Sequence, residues 1–321
     1  MLRFSADRRT LAFVAGYYAL LCAAYLLPLR WQSALGLLPA LALISFFCAV
    51  ISHNTIHAPI FRSKRLNRWF QIALTLTYGH PVSMFVPGHN LSHHRYLQQP
   101  KDRMRTDKLR FHWNLLNQLL FSSVVGTAIF RDNLDYARAM RTRRPRWFRQ
   151  LLVETTVFIL FIAATLLLDW KKFLLFVFIP HQYALWGITG VNFVQHEGCD
   201  TEHPYNHSRN FTGRLVNWFT FNNGFHGIHH MHPSLHWSLL REAHALELTP
   251  HIDKRLEQPS IAAYCARAYL WPGKRLNYDG TRRVLGPVRE DEPWVPGALA
   301  LAPSDSDDLD HGAEGNPAYG A

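Results

Sequence analysis

The chain has 321 residues, 48% of them hydrophobic, with 21 Phe, 12 Tyr and 10 Trp, which is ample material for a buried core and excludes a disordered polymer. Its four cysteines, Cys22, Cys48, Cys199 and Cys265, form no CxxC pair, so local spacing builds neither a disulfide framework nor a thiolate zinc site. There are 34 Lys and Arg against 23 Asp and Glu, net +11; residues from Asp305 onward hold five of the acids and no base, leaving the body with 34 against 18, or +16. Such a balance suits nucleic acid or an anionic membrane surface, and the placement of the apolar residues decides between them.

In chain order, residues 10–29 and 34–51 are two uncharged apolar runs separated only by Arg30 to Ser33. Each is about the length that crosses a hydrocarbon core, roughly 17 to 25 residues. The first run follows a basic start, as a signal peptide would, but it is longer than the usual apolar region of one and lacks a small-x-small cleavage site. It is therefore read as a retained span. Residues 70–86 and 115–130 are weaker apolar stretches, the former containing Gly79-His80-Pro81, and suit helices lying in the interface. Runs 151–168 and 173–194 repeat the opening arrangement around Asp169 to Lys172. The expected fold is an all-α integral membrane protein with four transmembrane helices in two hairpins, carrying a cytosolic His-rich helical cap from 53–150 and 195–292. The mean hydropathy of -0.09 agrees, because four spans of ~20 residues fill only about a quarter of the chain. Residues 293–321, rich in Pro, Gly, Ala, Ser and Asp, read as a disordered acidic tail outside a membrane domain of 1–292.

Both turns between paired spans are short, so by parity the N-terminus, 53–150 and everything after Gln195 share one side. That side carries Arg3, Arg8 and Arg9 and seventeen Lys or Arg from Arg62 to Arg149, against Arg30, Lys171 and Lys172 on the other. The excess marks it as cytosolic. Basic clusters such as Arg62-Ser-Lys-Arg65 and Arg141-Thr-Arg-Arg144 then stand where topology requires them, which removes the case for nucleic acid.

Nineteen histidines carry the chemistry, most of them grouped as His53/His57, His89/His93/His94, Asn192 with His196, and His226/His229/His230. On an α-helix, residues four apart lie one turn above each other and the last trio falls within an arc of about 100°, so each group can present imidazoles to one point. His94, roughly 100° beyond His93, would turn away from His89 and His93 and reach a second metal. Nine imidazoles and one amide are too many for one ion and about right for two. A single HxxxH is better explained as ordinary polar structure; four spaced groups on one side of a membrane are not. His232 and His236 are the candidates for partners of the ligands, and the other histidines are assigned no role. Within the spans, His181 after Pro180 is expected to pair with a neighbouring span, and Glu154 to sit in the interface.

At these residues the sequence resembles the membrane fatty acid desaturase family, whose pattern is HxxxH or HxxxxH, then HxxHH or HxxxHH, then HxxHH. His53/His57, His89/His93/His94 and His226/His229/His230 match the three boxes in order, and the resemblance runs from about Leu11 to Trp237. Relatives also use an asparagine and a histidine after the fourth span, where Asn192 and His196 stand. The resemblance implies two non-haem iron ions as cofactor, held by His53, His57, His89, His93, His94, Asn192, His196, His226, His229 and His230, with O2 as co-substrate and no catalytic residue beyond these ligands. The all-nitrogen set alone does not select iron over zinc or copper.

The chain has no flavin or nicotinamide fingerprint, no iron–sulfur cysteine set and no HPGG haem motif, so a separate electron donor of ferredoxin, rubredoxin or cytochrome b5 type is implied. Its basic cytosolic face suits an acidic partner. Two features depart from the acyl desaturases: Asn54 stands where many carry an acid, and the third box runs on into the His-rich Met231-His-Pro-Ser-Leu-His236. The expected activity is fatty acyl desaturation; hydroxylation or ketolation of a lipid, alkane or carotenoid by the same centre is the alternative, and a membrane metal transporter or sensor a distant one. The latter would need polar ligands along the spans, which hold only His181 and Glu154. An Arg-rich, Lys-poor basic set suggests a bacterial inner membrane, with the active site on the cytoplasmic side.

Overall fold

A computed structural model describes residues 1–300. The protein is predominantly helical, and among the described residues its only sheet is a two-residue parallel pairing of β1 (Asn210–Phe211) with β2 (Glu257–Gln258). Among the described residues, four helices are long and apolar enough to cross a membrane: α1 (Asp7–Leu26), α2 (Trp31–His57), α5 (Pro145–Leu168) and the continuous stretch Trp170–His196, whose last part is α6 (Ile179–His196). Ile159, Leu160 and Leu167 on α5 are more than half exposed, an arrangement that aqueous solvent penalises and acyl chains do not. Of the weaker apolar stretches, 115–130 lies in α4 (Asn114–Arg143) and 70–86 begins in α3 (Lys64–Tyr78) and runs on past its end; α3 is too short to be a span, and α4 is not apolar enough.

Three of these four helices are longer than their uncharged runs. α2 continues through His53 and His57, and the fourth through Asn192 and His196, so these side chains project from helical turns and not from loops following them. Pro180 is accommodated because the preceding Leu174–Phe178 is a π-turn: proline lacks the amide that an α-helix needs at that point, and wider hydrogen bonding absorbs the mismatch.

The described residues divide into two compact units. The first comprises Met1–Val86 and Ala137–Ile188. In it Phe13 and Phe47 join α1 to α2 with ring centroids 5.9 Å apart. Buried polar groups inside this unit include Ser45, whose Oγ donates to Thr77 O at 2.6 Å, and His181, whose Nε2 lies 3.1 Å from both Tyr17 Oη and Leu76 O. His181 is thus paired as expected. Gly79 ends α3 at φ +79, and a Cβ there would lie 2.7 Å from the His181 ring, so both backbone conformation and space demand glycine.

Glu154, in contrast, is not interfacial. It is fully buried, accepting from the Ser83 amide at 2.8 Å, from Ser83 Oγ at 3.0 Å and from Gln150 Nε2 at 2.9 Å. The Ser83 amide lies in the buried turn Val82–Met84, and a buried donor requires an acceptor.

The second unit contains Pro87–Tyr136 and 189–300. Its core brings Phe121 and Val125, one turn apart on α4, against Phe193 of α6, with Phe211, Met104, Leu109 and Tyr269; the Phe121 and Phe193 rings are 4.9 Å apart. Burying each such side chain contributes roughly 1.5 to 3 kcal/mol. Trp294 is also fully buried, stacked on Tyr136 at 6.1 Å, and Val295–Ala300 are helical, so order extends past residue 292. The rest of the tail expected to be disordered, 301–321, lies outside the described residues.

Candidate metal centre

In the first unit, His53 and His57 lie one turn apart at the end of α2, both buried, with rings 5.2 Å apart and edge to face. The remaining eight candidates belong to the second unit and come from three elements. Pro87–His93 is a π-helix that passes into a single α-turn, His94–Tyr96. α6 supplies Asn192 and His196, and α7 (His226–Met231) supplies the last trio. Gly227 lets α7 seat closely: its amide donates to Asn210 Oδ1 at 2.8 Å, and a Cβ there would meet Leu248 at 2.7 Å.

Boxes two and three do not each converge on one point, as helical periodicity alone suggests. The π-helix hydrogen-bonds i to i+5 and so aligns residues five apart, placing His89 Nε2 3.0 Å from His94 Nε2 and separating His93 from both. In α7, ordinary α-geometry aligns residues four apart, with His226 Nε2 3.1 Å from His230 Nε2. Each box then lends its middle histidine to the other set. His229 Nε2 lies 3.1 Å from His94 Nε2, while His93 joins His196, His226 and His230. The outcome is one set of His89, His94 and His229 and another of His93, His196, His226 and His230, each with its ligand atoms within 4.8 Å of one another. The sets adjoin, since the His94 and His230 rings stack at 4.3 Å.

The contacts inside each set fit a cation. An imidazole Nε2 carries either one hydrogen or one lone pair, directed along a single line. Yet His226 Nε2 faces both His196 Nε2 at 2.9 Å and His230 Nε2 at 3.1 Å, and His94 Nε2 faces both His89 and His229. One nitrogen cannot hydrogen-bond in two directions at once; a shared metal ion accepts every lone pair together. Burial first, then the neighbouring imidazoles of His94, His226, His196 and His93, push the His230 pKa well below its usual value, leaving the ring neutral and able to ligate. Asn192 Nδ2 stands 2.9 Å from His93 Nε2, and its Oδ1 is buried with no hydrogen-bond partner among the described residues, an orphaned acceptor of the kind a cation satisfies.

The two expected partners of the candidate ligands have polar contacts of their own. His232 pairs with Glu247 at 2.7 Å and His236 with Ser238 Oγ at 2.8 Å. Groups that sequence reasoning missed stand directly behind two candidate ligands: Asp102, whose Oδ2 lies 3.0 Å from His93 Nδ1, and the His207 carbonyl, 3.2 Å from His196 Nδ1. Each takes the Nδ1 hydrogen, which fixes the tautomer and turns the Nε2 lone pair into the site. Asp102 is itself held by the Gln98 and Met104 amides at 2.8 and 2.7 Å. Its sequence signal was thin: one acid in a loop nine residues after His93. Beside His196, the buried Glu197 carboxylate is ion-paired to Arg275 and, at 3.3 Å, to Arg283. Arg209 donates to the Val194 and Glu197 carbonyls at 2.7 and 3.0 Å, completing the end of α6.

Four apolar helices of spanning length and two adjoining imidazole sets, built from boxes that exchange their middle residues, define a membrane protein with buried histidine clusters that could hold metal. The chain belongs to the fatty acid desaturase family, whose model matches residues 29–256, a stretch that takes in all three boxes, Asn192 and His196. It is similar to an alkane 1-monooxygenase of Ectopseudomonas oleovorans, 25% identical over 241 residues that cover 70% of this chain and 56% of that one. An alkane 1-monooxygenase of Pseudomonas putida is 27% identical over 227 residues, covering 66% and 54%. The chain spans about half the length of the curated relatives it matches.

Proposed function

We propose that this protein is a membrane di-iron oxygenase that hydroxylates an unactivated C–H bond of an alkyl chain, with the balance R–H + O2 + 2 e⁻ + 2 H⁺ → R–OH + H2O. The observation that carries this reading is the pair of adjoining imidazole sets in a chain whose relatives include alkane 1-monooxygenases. His89, His94 and His229 would hold one iron, and His93, His196, His226 and His230, with Asn192, the other; the resemblance adds His53 and His57 of the first box to the ligands. When bound, the two irons supply the activation of O2 needed to break a strong C–H bond.

The protein's own contribution is positional. Asp102 and the His207 carbonyl keep His93 and His196 in the metal-binding tautomer, the neutral His230 avoids protonation that would compete with ligation, and burial of the ligands limits water. Desaturation remains the second reading, favoured by the family model itself; it removes two hydrogens from adjacent carbons where hydroxylation returns oxygen to one. The proposal takes residues 1–292 as one membrane domain with its spans in two hairpins, the site on the cytoplasmic side of a bacterial inner membrane, and electrons from a separate carrier. The basic residues of the loops support that orientation.

The test uses purified protein in lipid nanodiscs, given n-octane or a palmitoyl lipid, 18O2, and ferredoxin with its reductase. One oxygen from 18O2 in the product, with about two irons per chain, is the expected result. A product two hydrogens lighter without oxygen transfers the assignment to desaturase, and substoichiometric zinc with no oxygen uptake refutes both.

A further inference from the structure

A groove of about 980 Å³ opens on the second unit between residues 110–113 and 270–285. Its walls are tied together by backbone. The Asn114 amide donates to Gly273 O at 2.9 Å, Trp113 bridges to Lys274, and Leu276 bridges to Arg282. Five of the lining residues are cationic, Arg110, Lys274, Arg275, Arg282 and Arg283, and none is acidic. Lys274 and Arg282 are exposed and make no ion pair among the described residues, and Arg110 is bound only to the Gly286 and Pro287 carbonyls, which leave its charge uncompensated. Between these cations stand exposed apolar groups, of which Trp271, 83% exposed, is the most prominent. Aromatic anchors inside a ring of one charge are what a transient protein interface presents.

The groove also leads to the metal site. Arg275, on its floor, ion-pairs the buried Glu197 carboxylate and donates to the Leu109 and Thr106 carbonyls, and Glu197 is the chain neighbour of His196. A partner seated in the groove is therefore separated from a candidate ligand by one buried ion pair and one peptide link.

We infer that this groove docks an acidic one-electron carrier protein, its carboxylates meeting Lys274, Arg282 and Arg110 and its apolar rim meeting Trp271. The inference rests on the oxygenase reading, which requires electrons from outside a chain that has no redox cofactor motif of its own. Each docking oxidises one reduced carrier by one electron, so two dockings supply the two electrons that, with two protons, reduce O2 during one hydroxylation.

The test measures binding by biolayer interferometry on the full chain in phosphatidylcholine nanodiscs, against purified rubredoxin, [2Fe–2S] ferredoxin and cytochrome b5 in turn. Saturable binding of at least one carrier is expected, falling with salt as steered association does. Lys274→Glu with Arg282→Glu should weaken it on the order of tenfold or more and flatten its salt dependence, and Trp271→Ala should weaken it but keep the salt dependence, while Arg65→Glu, in another basic cluster, leaves it unchanged. Unaltered iron content in the variants shows that the fold is intact. Failure of all three carriers to bind, or equal affinity for wild type and double variant, overturns the inference. So does a double variant that loses only a preference for phosphatidylglycerol, which assigns the groove to lipid headgroups. Because binding needs no turnover, carrier binding without oxygenated product faults the oxygenase reading alone, and product formation with unchanged binding in the variant faults the groove alone.

Discussion

Asp102 gives the sharpest test of how the site is organised. Its carboxylate meets three donors, His93 Nδ1, the Gln98 amide and the Met104 amide, at 3.0, 2.8 and 2.7 Å, and both Asp102 and His93 are fully buried. Asp102→Asn is nearly isosteric but leaves one oxygen for these three donors and removes the charge that favours His93 in its Nδ1–H form. A hydrogen bond to a charged group is worth roughly 1.5 to 3 kcal/mol, and loss of a ligand's orienting partner typically lowers metal affinity 10- to 100-fold, which is about 1.4 to 2.7 kcal/mol; the two scales agree. The measurement is iron retained per chain against a graded chelator, beside the melting temperature of the metal-free protein. A 10- to 100-fold fall in retention with a smaller effect on the metal-free fold is expected. Wild-type retention by Asp102→Asn would refute the orienting role, and an equal loss of stability in the metal-free state would make Asp102 a loop brace only.

Glu154→Gln keeps an acceptor for the Ser83 amide and should cost about 1 kcal/mol, whereas Glu154→Leu strands that buried donor and should cost roughly 1 to 3 kcal/mol more, read from thermal unfolding in detergent. Gly227→Ala forces a methyl against Leu248 and should destabilise the protein by about 1 to 3 kcal/mol with loss of bound iron; unchanged iron would mean that α7 shifts freely. Burial, followed by His203, holds His207 at about 4. The unfolded chain takes up that proton near pH 6.5, so its contribution is full above that pH and is lost as the pH falls toward 4. The melting temperature should drop across this interval, and less steeply in His207→Gln; identical slopes would refute the assignment.

The four spans were legible because each is an apolar run of membrane length, a property of composition that packing does not alter. Their ends were not, since helical hydrogen bonding carries α2 and α6 on through polar residues. Which histidines belong together was hidden for the same reason: His89 pairs with His94 only if Pro87–His93 takes the wider π-turn, a choice made by the surrounding packing and not by seven residues alone. Glu154 looked interfacial because it lies near the start of an apolar run, while its partner Ser83 is distant in sequence. His181 was readable, because a histidine inside a span must find a partner wherever the chain provides one.

The exchange of middle histidines bears on how such boxes tolerate insertion and deletion. Box two has three residues between its first and second histidines and box three has two, yet in both the first and third meet, at 3.0 and 3.1 Å. A π-turn absorbs the extra residue and an α-turn needs none, so helix winding compensates for motif length. Losing one residue between His89 and His93 while tightening that helix to α would preserve the pairing. The two spacings are geometric synonyms, and a length change at this point is silent in the ligand geometry so long as the winding changes with it.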